Sequence, residues 1–322
     1  MRSARIMIVL LVVASWSRVD AAPYVDEAVQ DQWFTGSLEA PSPALTKAGS
    51  IAVEPYAIYQ GNTGAYGNNW GHYSVAHDLN QLQSVTEIKY GITDQLTLAT
   101  TPLFAHSWND QTTSSIVGVG DLPVELEYRL NEMDRKTGSP SLTFALGMNF
   151  PTGAYDRLRT SLDGLGGGAY TAKEGLLLQS LFDTWGGHPL RLRFYGALFE
   201  PLASVSVNDV SVYGTSQGFH GQASPGLAQE LGLGVEYGLN QQWVLAFDVV
   251  QYYANGTRLN GTNAAGNFVN TRAGSSVSFA LAPAIEYNLT SNVGLIAGVE
   301  FSAAGRNTSS YIAPQIALTI AF

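Results

Sequence analysis

The stretch Tyr311–Phe322 reads YIAPQIALTIAF. Taken two residues at a time from its end, Phe322, Ile320, Leu318, Ile316 and Ile312 fall on one face, interrupted only by Pro314. The opposite face carries Ala321, Thr319, Ala317, Gln315, Ala313 and Tyr311, which are small or polar. Side chains alternate sides with a period of two only in an extended strand, so this is a strand with one oily face and one mixed face.

The same rhythm recurs through the chain. Candidate strands cover residues 49–59, 82–91, 95–106, 117–130, 141–150, 170–182, 190–200, 227–238, 243–253, 276–288, 293–302 and 311–322. Helical spacing never persists, and the 34 Gly and 13 Pro punctuate the chain too often for long helices. The connections alternate in length. Short ones read TDQ, NEMDRKTGSP, TWGGHP, NQQ and TSN, whereas residues 60–81, 107–116, 151–169, 201–226, 254–275 and 303–310 form long ones rich in Gly, Asn, Ser and Thr. Short–long alternation is the pattern of an antiparallel up-and-down barrel crossing a bilayer, here all-β with about 12 strands, short periplasmic turns and long extracellular loops. In lipid every backbone group must be paired, so the last strand is expected to close against the first.

Composition agrees. Only 13% of the 322 residues are charged, about half the usual share, yet mean hydropathy is close to zero. No apolar run reaches the roughly 18 residues of a spanning helix. A net charge of −10 leaves nothing to neutralise phosphates, which excludes nucleic acid as a partner. With no Cys there is no disulfide framework, thiol site or zinc ribbon, and no cofactor or metal is expected. Arg2 and Arg5 precede an apolar core from Ile6 to Ala14, and small residues follow at Val19 and Ala21. Residues 1–22 therefore read as a secretory signal peptide. Residues 23–47 are too irregular for a strand and form either a periplasmic segment or a lumen plug, with Trp33 and Phe34 as anchors; residues 48–322 form the barrel.

IKYGITDQLTLAT, VEYGLNQQWVLAFD and IEYNLTSNVGLIAG share one design, and LEYRLNEM opens the same way. Each places a tyrosine (Tyr90, Tyr237, Tyr287 and Tyr128) on the oily face beside a short turn. Four amphipathic rings at one depth make an interfacial aromatic girdle facing membrane lipids. The terminal Phe322, after alternating apolar residues, resembles the C-terminal signal read by the outer-membrane barrel assembly machinery of Gram-negative bacteria.

The opposite phase lines the interior. It holds Glu87, Lys89, Asp121, Glu125, Glu127, Arg129, Arg191, Arg193, Glu230, Glu236, Asp248, Glu286 and Glu300. A cation facing lipid at the midplane would cost about 2–4 kcal/mol, which an enclosed lumen avoids. Two readings fit this set: a salt-bridged network bracing a narrow barrel, or a permeation path with an acidic bias for a small-molecule solute. Glu127, Glu236 and Glu286 directly precede girdle tyrosines and are expected at the periplasmic mouth, with Arg191 and Arg193 at similar depth.

Hydrolytic chemistry has weaker support. His72, His77, His106 and His220 fall in or beside the long connections, and His188 in a short one. His106 with Ser107 and Asp110 contains the residue types of a Ser–His–acid triad, and His72 with His77 and Asp78 those of a metal site, but no third ligand stands at a diagnostic spacing. No catalytic residue is assigned. DGLGGGAYTAKEG lacks the Gly-Lys-Ser/Thr of a phosphate loop. Trp70, Trp108 and Phe219 are candidates for catching an apolar solute.

Four stretches together, WFTGSLEAPSP, GITDQLTLATTPLF, GVGDLPVELEYRL and LGMNFPTGAY, resemble the outer-membrane family labelled for the meta-pathway of phenol degradation. The resemblance runs loosely over most of the mature chain. It implies a monomeric barrel admitting aromatic or other hydrophobic compounds, and carries over no substrate-binding residues. The expectation is an outer-membrane channel for passive uptake of small molecules; a barrel enzyme acting on lipid or peptide, or an adhesive surface barrel, is the alternative.

Overall fold

The computed structural model describes residues 32–76, 78–134, 137–184 and 186–322. The signal at 1–22, the start of the 23–47 segment and His77 lie outside the described residues. Twelve strands run β1 (Ile51–Tyr66), β2 (Asn80–Thr93), β3 (Leu96–Thr100 and Leu103–Trp108), β4 (Leu122–Asn131), β5 (Ser141–Phe150), β6 (Thr171–Asp183), β7 (Pro189–Pro201), β8 (Ala228–Gly238), β9 (Trp243–Ala254), β10 (Ser276–Asn288), β11 (Val293–Arg306) and β12 (Thr308–Ala321). Each pairs antiparallel with the next. The ring closes where β1 meets β12, in register from Ala52↔Ala321 to Tyr66↔Thr308. The Phe322 amide adds a bond to the Ile51 carbonyl at 2.8 Å. No edge is left in the wall, as a membrane barrel requires.

β3 is broken at Pro102, which has no N–H to give the ladder. Both halves still pair with β2. A two-residue piece, Gly118–Val119, continues β4 on the outer side of the same break.

All twelve expected strands are present. The phase is also as read: Leu82, Leu98, Leu126, Phe194, Leu245 and Ile316 point outward and are exposed, whereas Glu236, Asp248 and Glu286 point inward and are fully buried. The oily surface is outside and the polar core inside, the inverse of a soluble protein. Among the described residues no helix is long and apolar enough to cross a membrane.

Three connections differ from expectation. Residues 303–310 are not a long loop: β11 and β12 extend to Arg306 and Thr308, leaving Asn307 alone at the turn with φ 51°. Asn tolerates this left-handed conformation better than most residues. The stretch SAAGRNTSS lacks alternation because these strand ends project past the hydrocarbon. Loops 201–226 and 254–275, read as irregular, contain a four-stranded sheet of Val205–Asn208, His220–Ser224, Arg258–Thr262 and Phe268–Arg272. It is built from the β7–β8 and β9–β10 connections at the outer end of those strands.

Candidate functional site

The described part of the N-terminal segment lies inside the barrel. Trp33 donates its amide to Gln241 in the β8–β9 turn, and its carbonyl accepts from Asn288. The chain then climbs the lumen. The Thr35 and Gly36 amides donate to Glu286 Oε2 at 2.7 and 3.3 Å, and the Glu39 amide donates to Asp248 Oδ2 at 3.0 Å. At the apex, Gln315 donates to Glu39 Oε1 at 2.8 Å. Asp248 and Gln315 are both about halfway along their strands, so the apex reaches mid-barrel. The chain descends past Arg193, whose Nη1 donates to the Ala40 carbonyl, and past Thr143, which donates to the Pro43 carbonyl at 2.7 Å. Thr97 Oγ1 and Asp94 Oδ1 accept from Thr46 and Ala48 before β1 begins. A Cβ on Gly91 would stand 2.0 Å from the Lys47 carbonyl oxygen, so this descent depends on that glycine. Of the two expected anchors, Phe34 lies under Arg191, with the guanidinium carbon 4.0 Å from the ring centroid.

All thirteen expected interior charges lie on the inward phase, and the structure sorts them by depth. In the short-turn half they are paired. Arg191 holds Glu236 through two hydrogen bonds, Nε to Oε2 at 2.6 Å and Nη2 to Oε1, and Arg193 Nε adds a contact at 3.2 Å. Lys89 bridges Glu127 at 3.1 Å and Glu87 at 3.2 Å. Arg129 bonds Glu132 at the rim. Glu127, Glu236 and Glu286 are therefore at the periplasmic end, but they are sealed by cations or by backbone amides of the N-terminal segment.

Near the short turns Tyr56 also donates to Glu54 at 2.7 Å. In the outer half, Tyr195 donates to Glu230 Oε1 at 2.6 Å, and Tyr311 and Tyr252 donate to Glu300 Oε1 at 2.6 and 3.3 Å. These donors are neutral hydroxyls, and at similar depth Lys173 pairs with Glu125 at 2.7 Å. Between β7 and β10 this half contains a cavity of about 250 Å³, lined by Phe199, Ala228, Glu230, Tyr252, Ser278 and Thr308. Alternation places a residue inside or outside but gives no depth, so Glu39, Glu54, Lys173 and the inward tyrosines were not singled out from the sequence.

Asp121 is inward but acts as a clamp at the mouth, accepting from the Gly153 and Gly167 amides at 3.0 and 2.8 Å. Asp163 closes the same region, accepting from the Ser115 amide and hydroxyl and from the Thr160 amide. Burial pushes its carboxyl up, but the Ser115 and Thr160 hydrogen bonds outweigh burial and hold it below the ordinary aspartate value. A lowered acid contributes stability above its unfolded pKa of about 3.9 and loses it as pH falls through the lower folded value. The Ser115 amide should therefore be protected from hydrogen exchange at neutral pH and lose protection in acid. In Asp163→Asn the protection should be low at both pH values; undiminished protection in that variant would rule the clamp out.

The histidines do not assemble. His106 points outward and bonds Thr113 and Ser114, both at 3.0 Å, while Ser107 points inward and accepts from Gln81. The expected His106–Ser107 partnership is thus split across the wall, because adjacent strand residues face opposite sides. His72 bonds Ser310 at 2.8 Å, His220 bonds Asn208, and His188 Nδ1 meets the Gly238 carbonyl. Among the described residues no cluster of His, Asp and Glu has the geometry of a metal site. Of the aromatics expected to catch solute, Phe219 is buried in the cap with Val205, Val207 and Ala223 and is not free to do so. Trp70 stacks on Phe279, and Trp108 on His106. Tyr90, Tyr128, Tyr237 and Tyr287 all sit outward beside short turns, with Tyr287 4.6 Å from Trp243.

No family model matches the chain, and no curated relative does. Among solved structures it is similar to an outer-membrane channel from Pseudomonas putida F1, at 16% identity and a TM-score of 0.62, over 89% of this chain and 100% of that one. The transport unit of the autotransporter AIDA-I from Escherichia coli matches at 11% identity and 0.49, over 90% of this chain and 94% of its own. A mutant of the TodX monoaromatic hydrocarbon channel matches at 10% and 0.41, over 90% and 94%. The last two are too distant in shape to carry weight. The likeness is one of fold: the chain is a closed 12-stranded barrel of the kind found in the outer membranes of Gram-negative bacteria.

Proposed function

We propose that the protein is an outer-membrane channel for passive uptake of small molecules, and that residues 23–47 act as its lumen plug. The observation that carries this reading is the inward cavity of about 250 Å³ in a barrel whose other half is filled by a separate, non-wall segment. A barrel needing only a brace would have no use for a chain segment held by single hydrogen bonds. Twelve strands enclose more space than wall side chains alone can fill. The resemblance to the meta-pathway family supports aromatic or hydrophobic compounds as solutes, and the Tyr- and Phe-lined outer half offers them apolar surface. Phe322 serves in this reading as the signal to the barrel assembly machinery.

Enzymatic activity forms no part of this proposal. In this proposal the lumen carboxylates held by tyrosine hydroxyls, Glu230 and Glu300, give the path its charge preference. In planar bilayers the protein should pass cations in preference to anions, and Glu230→Gln with Glu300→Gln should move the reversal potential toward the non-selective value. Swelling of protein-loaded liposomes in sugars, amino acids and aromatic acids tests permeation itself. Swelling with none of them would remove the channel reading.

A further inference from the structure

The four-stranded sheet at the outer end of β7–β10 has one covered face and one bare face. Val205, Val207 and Ala223 are buried with Phe219 and Ala169, and Leu259 and Val269 pack against them. Ala169 is on the lumen side of the wall: it is 5% exposed, while Tyr170 beside it is 54% exposed and meets the outward Phe150 edge-on. Cross-strand partners share a side, and neighbours along a strand alternate. The residues between the buried ones therefore face outward. Ser224 stands opposite Arg258, Arg258 opposite Arg272, and Asn260 opposite Asn270. The Ser204 and Ser224 hydroxyls meet at 2.7 Å, so one row across the sheet reads Ser204, Ser224, Arg258, Arg272.

The two arginines stand where like charges repel most. The Ala273 amide bonds the Thr257 carbonyl at 2.9 Å, and the Asn263 amide bonds the Asn267 carbonyl at 3.0 Å. Odd-numbered partners are thus the hydrogen-bonded pairs, and Arg258 with Arg272 is a non-hydrogen-bonded pair, whose side chains lie closer, on Cα atoms about 4.5 Å apart. Like charges directly opposite are destabilising. Neither guanidinium has a hydrogen-bond or ion-pair partner among the described residues. The four strands contain no Asp or Glu, in a chain with 26 acidic residues to 16 basic. The carboxylates closest in sequence are committed elsewhere: Asp156 accepts from the Asn208 amide and side chain, and Asp209 from Gln217 and the Gly218 amide. An anion seated between the two forks removes the repulsion, and phosphate oxygens match the guanidinium fork.

Height selects the anion. Phe279 is the outermost exposed apolar residue of β10 and stacks on Trp70, an aromatic pair suited to the outer edge of the hydrocarbon. Arg272 lies further out along the same strand path, roughly 15–20 Å higher at ordinary strand rise and tilt. That level is above the acyl chains, among the sugars of the outer leaflet. We propose that the outward face of this sheet docks outer-leaflet lipopolysaccharide, with Arg258 and Arg272 holding a phosphate on its core sugars and Ser224, Asn260 and Asn270 bonding the sugar hydroxyls. The surface stands on the barrel fold and is independent of the channel reading.

The test is calorimetric titration of the full mature protein in detergent with fully deacylated rough lipopolysaccharide. This probe is water-soluble, keeps its phosphates and has no acyl chains to bind the oily wall. Saturable binding is expected, at least about tenfold tighter than for the same oligosaccharide stripped of phosphate. Arg258→Gln with Arg272→Gln should weaken it by a similar factor. Arg258→Lys with Arg272→Lys should recover only part, because an ammonium lacks the fork. Binding should survive EDTA, since guanidinium groups and not bridging metal ions hold the phosphate. Each variant is first checked for heat-modifiable migration as a folded barrel. Equal binding of the stripped oligosaccharide, unchanged affinity in the folded double glutamine variant, or loss of binding in EDTA overturns the proposal. So does inorganic phosphate binding as tightly as the oligosaccharide, which would make this a free-ion site. Where the double variant does not fold, the comparison of the three probes on the wild-type protein decides.

Discussion

Deletion of residues 23–47 should raise single-channel conductance several-fold in planar bilayers. The described part of this segment occupies the lumen from the Gln241 turn up to mid-barrel, making its contacts with seven different strands or turns through Glu286, Asp248, Gln315, Arg193, Thr143, Thr97 and Asp94. It supplies none of the twelve strands of the wall, which pair with one another around the ring. Its loss therefore leaves ring closure intact, and water can replace each lost bond because the emptied lumen is wide enough to flood. The shortened barrel should still show heat-modifiable migration. Unchanged conductance in a folded deletion would mean that ions pass beside the segment, and that it is packing rather than a plug.

Glu236→Ala should be the most damaging single substitution in the lumen. Glu236 is fully buried and anchors two guanidinium groups, of Arg191 and Arg193, that are themselves 8% and 3% exposed. Removing it strands two cations beside each other, and breaking a buried pair from one side costs about 3–5 kcal/mol. Urea unfolding from lipid vesicles should show this loss, and a change under about 1 kcal/mol would place the pair in solvent. The two predictions are coupled. In the deletion background the floor of the lumen is wet, so Glu236→Ala should cost less there than in the full chain. Additive effects would mean that the segment does not keep water from the arginines.

The wall was legible because lipid enforces a two-residue rhythm on every strand, and the rhythm survives wherever a strand crosses hydrocarbon. It fails where lipid ends. Ser302–Arg306 and Thr308–Ser310 continue β11 and β12 in small or polar residues, and Val205–Asn208, which pairs with His220–Ser224 in the cap, is only four residues long, too short for its Val205 and Val207 alternation to stand out. The charges of Glu87 to Glu300 could be assigned to the interior for the same reason, but not to a partner. Neighbours across the ring, such as Lys89 and Glu127, are set by strand order and depth together. The path of the N-terminal segment was illegible for another reason. Its amides at Thr35, Gly36 and Glu39 do the binding, and backbone donors leave no pattern in side-chain identity.

The seam between β1 and β12 has a consequence for assembly. Residue 47 leads almost directly into β1, so the inner segment is tethered to one lip of that seam, while Asp248 and Glu286 hang from the ninth and tenth staves, near the other lip. A chain curling up stave by stave must therefore have this tether on the concave side when the lips meet, or thread it afterwards through the narrow end. Joining the first stave to the last and stoppering the vessel become one event. A lesion along that join should spill the stopper as well as split the staves.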